Sequence, residues 1–502
     1  MGQFQFDIPE NLLREGSFGN ERTLWKWAYI SGIEGIPWEG SVRFEGGRLT
    51  LNRRVDESGK LSIPWDIPGY GPVTLSTCSL RCDRAPYNLP LELARGSCYR
   101  IRSQADVWER SGLRISDNFK DLLAQGTSYF LDAAQSIANP EAAGTESVKA
   151  IRHLEAASAD LLESYSAQSL AFRRDHEGRL GTLLGVAMRP SHPPTETQQR
   201  TYIETFNSVG IRLSWAEVET DAGRLDFDAV DRMFAWSEQN GLRAIAGPLF
   251  DFQDKMLPHW LYLLEDNFDG LVEAVCRFAE QAVERYAGRV HLWNCAAGLN
   301  TRGPINLTEE QIMRLAVAVI QTVRRTDPRT PVIVAFDQPY GEYLSQTRDG
   351  ISPLHCADAL VRAGLGLAGI GLELRMNYQD IGTLPRTNLD FSQLFDRWAG
   401  LGLPLMCQLT VAANDGVDAN ALRPTPILKA NSQAVITEKD QLRLAGGFIR
   451  TLLAKGFVHG IIWEGWDDSR PHIFPHSGLL DDRANPRPLQ QYLARLRKDF
   501  LC

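Results

Sequence analysis

The chain has 502 residues, 43% of them hydrophobic and 23% charged, with a net charge of −9. At roughly 100–200 residues per domain this is two to four domains of an ordinary globular protein. The acidic balance, without a run of one sign, excludes a general nucleic-acid binder, which needs a basic face. No apolar stretch approaches the ~18 residues of a membrane span. The start MGQFQFDIPENLLREG has no basic segment followed by an apolar one, so the chain reads as cytoplasmic. It would be extracytoplasmic if a leader had been removed. The eight cysteines are scattered. Cys78, Cys82 and Cys98 lie close together but have no second Cys or His pair, so they are expected to be packed thiols, and no metal or cofactor is expected.

Residues 1–112 read as a β-sandwich-like domain. Short runs such as SVRFEGG, RLTLNRR, KLSIPW, PVTLSTCSLRC, LPLELA and SCYRIRSQADVW are punctuated by Gly, Pro, Asn and Asp, the pattern of antiparallel strands. Trp25, Trp27, Trp38, Trp65 and Trp108 fall here. They either pack between sheets or offer faces for stacking on sugar rings. Residues 113–178 change to three- and four-residue apolar spacing, interrupted at ANPEAAG, and predict a helical hairpin. With no flexible linker on either side, firm docking is expected.

Residues 179–502 alternate apolar runs with amphipathic helices. The candidate strands are TLLGVAM (182–188), VGIRLSW (209–215), LRAIAGPLF (242–250), RVHLWNCA (289–296), PVIVAF (331–336), AGIGLEL (368–374), LPLMCQL (403–409) and VHGIIWEG (458–465). This alternation predicts an α/β fold, a (β/α)8 TIM barrel, whose site gathers where the strands end.

From residue 195 to 498 the local patterns also stand in the order of a known family. They are FNSVG (206–210), Trp215 with EVETDAGRLDFDAVD, WSEQNGLRA, GPLFDFQDKMLPHW, IGLELR, WEGWDDSRP and LLDDRANPRPLQQY. Together they resemble the catalytic domain of the glycoside hydrolase family 10 enzymes, the xylanases. The resemblance implies hydrolysis of O-glycosyl bonds in a polysaccharide or oligosaccharide. It implies a sugar-floor tryptophan at Trp463, with Trp466, Phe252, Trp215, Asp251, Asp467, Gln408 and Arg375 as further substrate-binding candidates. Trp293 and Tyr378 could add aromatic surface.

Retaining glycosidases use two carboxyl groups about 5–5.5 Å apart, one to protonate the leaving oxygen and one to attack. The segment matching the family's acid/base is WNCAAG, where Gly298 holds the glutamate position; the one matching its nucleophile is CQLT, where Gln408 does. Pro248 and Gln253 stand where two histidines are usual, and Arg375 where a third is. Other acids remain at strand ends: Glu217, Glu219, Asp251, Asp254, Asp337, Glu373, Glu464, Asp467 and Asp468. Glu373 and Glu464, each among apolar residues, form the sharpest alternative catalytic pair. Otherwise each closes a salt bridge with a neighbour such as Arg212 or Arg375. The long loop 411–437 is placed to lie over the pocket. Three functions stay open: a hydrolase with a divergent pair, a glycan-binding pseudoenzyme, or a scaffold for a protein partner. Converging carboxylates around an open pocket favour the first, an open aromatic cleft the second, and a filled barrel mouth the third.

Overall fold

The computed structural model describes residues 2–502 apart from 15–20, 69, 83–85, 254–255, 302, 348–349, 380–381 and 430–434; the side chains of 14 and 21–23 also lie outside the description. Asp254, one of the acids noted above, therefore lies outside the described residues.

Two small sheets open the chain. Strands β1 (Gly2–Asp7), β2 (Tyr29–Ser31), β3 (Ser41–Glu45), β4 (Arg48–Arg53), β5 (Gly59–Ile67), β6 (Gly71–Leu80) and β7 (Tyr87–Asn88) assemble in the orders β3-β4-β1-β7 and β2-β5-β6. All of these pairings are antiparallel except β1 with β7. In β1, Phe4 and Phe6 point inward and Gln3 and Gln5 outward, the period-two alternation expected of a strand with one buried face. The tryptophans pack inside: Trp25 stacks on Trp65 with ring centroids 6.3 Å apart, and Trp108 stacks on Tyr165. Trp27 and Trp38 are only half-buried.

The segments LPLELA and SCYRIRSQADVW, expected as strands, instead form one helix. A five-residue α1 (Glu10–Arg14) precedes it, and α2 spans Leu89–Arg110. The Asn88 side chain caps its N-terminus by accepting from the Leu91 amide at 3.1 Å, and Pro90 sits in the first turn, where its missing N–H costs nothing. Leu89, Leu93, Ile101, Ala105 and Trp108 make its buried stripe. Gly96 lets the helix lie directly on β6, since a Cβ there would stand 2.0 Å from the Ser76 carbonyl oxygen. The expected hairpin follows as α3 (Asp117–Gln135) and α4 (Pro140–Glu177), with Asn139 capping α4. Near its end, α4 reaches the barrel, where Arg173 donates to the Leu453 carbonyl at 2.7 Å.

The barrel strands are β8 (Leu183–Met188), β9 (Ser208–Ile211), β10 (Arg243–Ala246), β12 (Leu292–Ala297), β13 (Val332–Asp337), β14 (Gly369–Met376), β15 (Leu405–Val411) and β16 (Val458–Glu464), with a short β11 (Phe250–Asp251) after β10. Every pairing is parallel, and β16–β8 and β10–β12 close the ring. The third expected strand is thus split. Gly247, at φ +118°, and Pro248, which has no N–H to give a ladder, interrupt it before β11 rejoins β12. Ala187, Ile245, Leu292, Ile333, Met406 and Ile462 fill the barrel interior. Among the described residues no helix is long and apolar enough to cross a membrane.

Candidate functional site

Above that apolar plug, the strand ends carry charge. Glu373 and Arg375 are two apart on β14 and so share a face. Asp337 ends β13, Glu464 ends β16, Asp251 ends β11, Gln408 lies on β15, and Arg212 follows β9. Arg375 pairs with Asp337 and, at 2.6 Å, with Glu373. Glu373 also accepts from the Gln253 amide at 3.0 Å, and Arg423 donates to the Gln253 oxygen at 2.9 Å. Arg212 binds Glu464 at 2.5 Å and reaches Asp251 at 3.7 Å, while the Gln408 amide donates to the same Glu464 oxygen.

The four carboxylates are no more than 10% exposed. Buried charges of this kind persist only when paired and hydrogen-bonded. The pairing is uneven. Burial, then the charge of Glu373, pushes the Asp251 carboxyl up to about 7 despite Arg212, and burial pushes Asp337 up to about 6 against the pull of Arg375. The structure thus brings Glu373 and Glu464 to one end of the barrel, but each lies against its own arginine. Glu373 is paired with Arg375 and Glu464 with Arg212, the two arginines the sequence offered as partners without assigning them.

Gly298 directly follows β12 at φ +70°, and a Cβ there would stand 2.9 Å from Gln253 Cγ. It therefore borders the same network that Gln408 joins. The aromatic candidates lie inside the protein. Trp463 is 1% exposed and donates to the Ser477 carbonyl at 2.8 Å. Trp466 is packed edge-on against Tyr202, and Trp215 donates to Glu219 and stacks on Phe278. Trp293 donates to Asp327, the Tyr378 hydroxyl donates to the Pro475 carbonyl, and Phe252 is buried. All six are at most 5% exposed. Asp467 orders its own loop, accepting from Gln198 and the Ser469 amide.

The loop between β15 and the helix Glu438–Ala454 crosses the mouth. Leu422 and Arg423 amides donate to His472 and Ile473 carbonyls at 2.8 and 3.0 Å on the β16 side. On the β14 side, Leu428 donates to Asn377 and Gln379 to Pro426. Asp418 anchors this strap, binding His472 Nε2 at 2.9 Å and the His476 amide at 2.8 Å. Asp418, Asp468 and His472 offer ligand atoms within 4.8 Å of one another. Arg487 sits on Asp468 at 2.6 Å, however, and would oppose a cation, so the cluster acts as a latch for the strap. Sequence reasoning missed Arg423, Asp418 and His472, because their partners come from loops far along the chain. Beside the strap two adjoining hollows, of about 460 and 770 Å3, remain open to solvent; Arg189 and Arg212 line both, with Glu464, Asp467 and Arg470 in one and Glu217 and Arg423 in the other.

No family model matches the sequence, and no curated protein matches it either. Among solved structures, xylanase 10B from Thermotoga maritima gives a TM-score of 0.49 at 15% identity, covering 65% of this chain and 97% of that one. Xylanase 10B from Thermotoga petrophila RKU-1, in complex with xylobiose, gives 0.47 at 14% identity, with 67% and 97% covered. A GH10 endoxylanase retrieved from sugarcane soil metagenome gives 0.48 at 12% identity, with 65% and 99% covered.

Proposed function

We propose that this chain is a carbohydrate-binding barrel that does not hydrolyse by the paired-carboxylate route of the family its sequence resembles. The observation that carries this reading is the state of the mouth: all four buried carboxylates there lie against an arginine. The sequence resemblance supports it, since it matches Gly298 to the family's acid/base and Gln408 to its nucleophile. A glycine has no proton to give, an amide is a poor nucleophile, and a guanidinium bonded to a carboxylate stabilises its negative charge and so weakens it as a nucleophile. The open hollows are edged with arginine and carboxylate groups that suit sugar hydroxyls. The test uses the full chain with xylan, an aryl xyloside and xylo-oligosaccharides. Binding by calorimetry without release of reducing ends or phenol is expected. Turnover at rates typical of xylanases, or no binding to any plant oligosaccharide tried, overturns the reading.

One observation favours a second reading, hydrolysis by a moved pair. Asp251, pushed up to about 7, is poised as a proton donor near neutral pH and shares Arg212 with Glu464. If turnover is found, Asp251→Asn and Glu464→Gln decide it, with Glu373→Gln testing the pair named from the sequence.

A further inference from the structure

On the opposite side of the strap, above β13 and β14, lies a third hollow of about 680 Å3 that belongs to neither half of the chain alone. One wall is Trp27, from the 3-10 turn Glu21–Trp27 that precedes β2. The others include Gln338, Gln346 and Thr347, from the loop after β13, Tyr378 after β14, and Leu428 of the strap. The turn is held there by packing: Leu24 and Tyr29 form an apolar cluster with Leu384 and Leu428, and Trp27 rests against it. The Tyr29 hydroxyl accepts from Arg386 at 3.0 Å, and Arg386 in turn pairs with buried Glu342. The Thr74 amide donates to the Pro385 carbonyl at 2.7 Å. The wall carrying Trp27 is therefore fixed against the barrel.

We propose that this hollow is a sugar subsite of the carbohydrate-binding face, with Trp27 as its platform and Gln346, Thr347 and Gln338 as hydroxyl partners. An indole beside amides and a hydroxyl matches the two sides of a neutral pyranose, an apolar face and a rim of hydroxyls. Trp27 is half-buried, and the ammonium of exposed Lys26 lies 5.2 Å from its ring centroid, so a sugar stacked on the indole takes the place of that side chain. Gln338 directly follows Asp337 and holds a left-handed backbone, φ +45°, which a non-glycine residue adopts at a cost that is usually kept where the conformation serves a site. Asp337 pairs with Arg375, so the hollow adjoins the charged network on the side away from Arg189 and Arg212. On this proposal a longer oligosaccharide that occupies the hollow gains the Trp27 contact, and a disaccharide held near Arg212 does not.

This inference rests on the reading that the chain binds carbohydrate. The experiment is calorimetry of the full chain with xylobiose, xylohexaose, cellobiose, cellohexaose, mannobiose and mannohexaose, comparing wild type, Trp27→Ala and Gln346→Ala. For whichever hexaose binds, Trp27→Ala is expected to weaken affinity by about tenfold or more while leaving its disaccharide unchanged. Gln346 is exposed, so Gln346→Ala keeps the fold intact and is expected to weaken the same hexaose by a smaller factor. Unchanged hexaose affinity in Trp27→Ala and in Gln346→Ala overturns the subsite and leaves the carbohydrate reading standing. Equal loss of disaccharide and hexaose in Trp27→Ala, with Gln346→Ala silent, assigns Trp27 to packing and also overturns the subsite. No binding of any of the six sugars by wild type overturns both.

Discussion

Placing a carboxylate at position 408 tests the network directly. In Gln408→Glu the new carboxylate takes the place of an amide that now donates to Glu464, on the oxygen that also binds Arg212 at 2.5 Å. Two ionised oxygens at about 3 Å with an effective dielectric near 20 repel by roughly 5 kcal/mol. The folded protein escapes most of this by keeping one proton on the pair, so the folded pKa of one member rises well above the unfolded value of about 4.3. A carboxyl with a raised folded pKa costs nothing below the unfolded pKa, and the cost grows as pH rises toward the folded pKa. At about 1.36 kcal/mol per unit, the penalty against wild type is about 1 kcal/mol at pH 5 and about 3–4 kcal/mol at pH 7. Urea unfolding followed by circular dichroism, at pH 5, 6 and 7, reads this slope. A variant as stable as wild type at pH 7, or one with a pH-independent deficit, would mean that Gln408 and Glu464 are not in contact and that the mouth is not the connected network described. If the chain binds carbohydrate without hydrolysing it, as proposed, this variant also shows no xylanase turnover, because Gly298 still offers no proton.

Gly298→Glu meets Gln253 and a left-handed backbone at φ +70°, so it should lose about 1–3 kcal/mol; Gly298→Ala, compared by thermal melting, isolates the backbone part. Asp251 holds its proton up to about pH 7 in the folded chain against 3.8 unfolded, so wild type should lose stability, on the order of 4 kcal/mol, as pH rises between those values. Asp251→Asn should flatten that slope in the same unfolding series; an unchanged slope would refute the assignment. Arg212→Met strands Glu464, 4% exposed, and should cost about 3–5 kcal/mol. Arg189→Met releases Glu217, 36% exposed, and should cost under about 1 kcal/mol, so equal losses in the two variants would contradict the buried network.

The barrel was legible because its signal is repeated: eight apolar runs, each followed by an amphipathic helix, leave little choice of topology. α2 was harder. Leu89, Leu91 and Leu93 alternate like a strand, and only Asn88, Pro90 and the recurrence at Ile101, Ala105 and Trp108 mark a helix. At the mouth, spacing of two put Glu373 and Arg375 on one face, and their ion pair follows from that alone. The Glu464–Arg212 pair joins residues 252 apart and could be named only because the barrel sets β16 beside β8, and β8 beside β9. Arg423–Gln253 and Asp418–His472 join irregular loops, where no periodicity fixes which way a side chain points. The aromatics failed for a related reason. A tryptophan at a strand end reads the same in sequence whether its indole faces the cleft or, like Trp463, turns to donate to a loop carbonyl.

The mouth also has an internal logic that bears on the proposed function. Four buried carboxylates cannot all stay ionised beside one another without cations, and Arg375 and Arg212 supply them from the ends of β14 and β9. The same guanidiniums that make the cluster tolerable favour the ionised carboxylates and weaken them as nucleophiles, while at Asp251 burial outweighs Arg212 and keeps the proton on. Removing Arg212 to free Glu464 would leave a buried charge that the fold pays for with stability. Stability of the mouth and hydrolysis by its carboxylates therefore pull against each other in this chain. Binding faces no such conflict, since sugar hydroxyls can bond to an ion pair without breaking it.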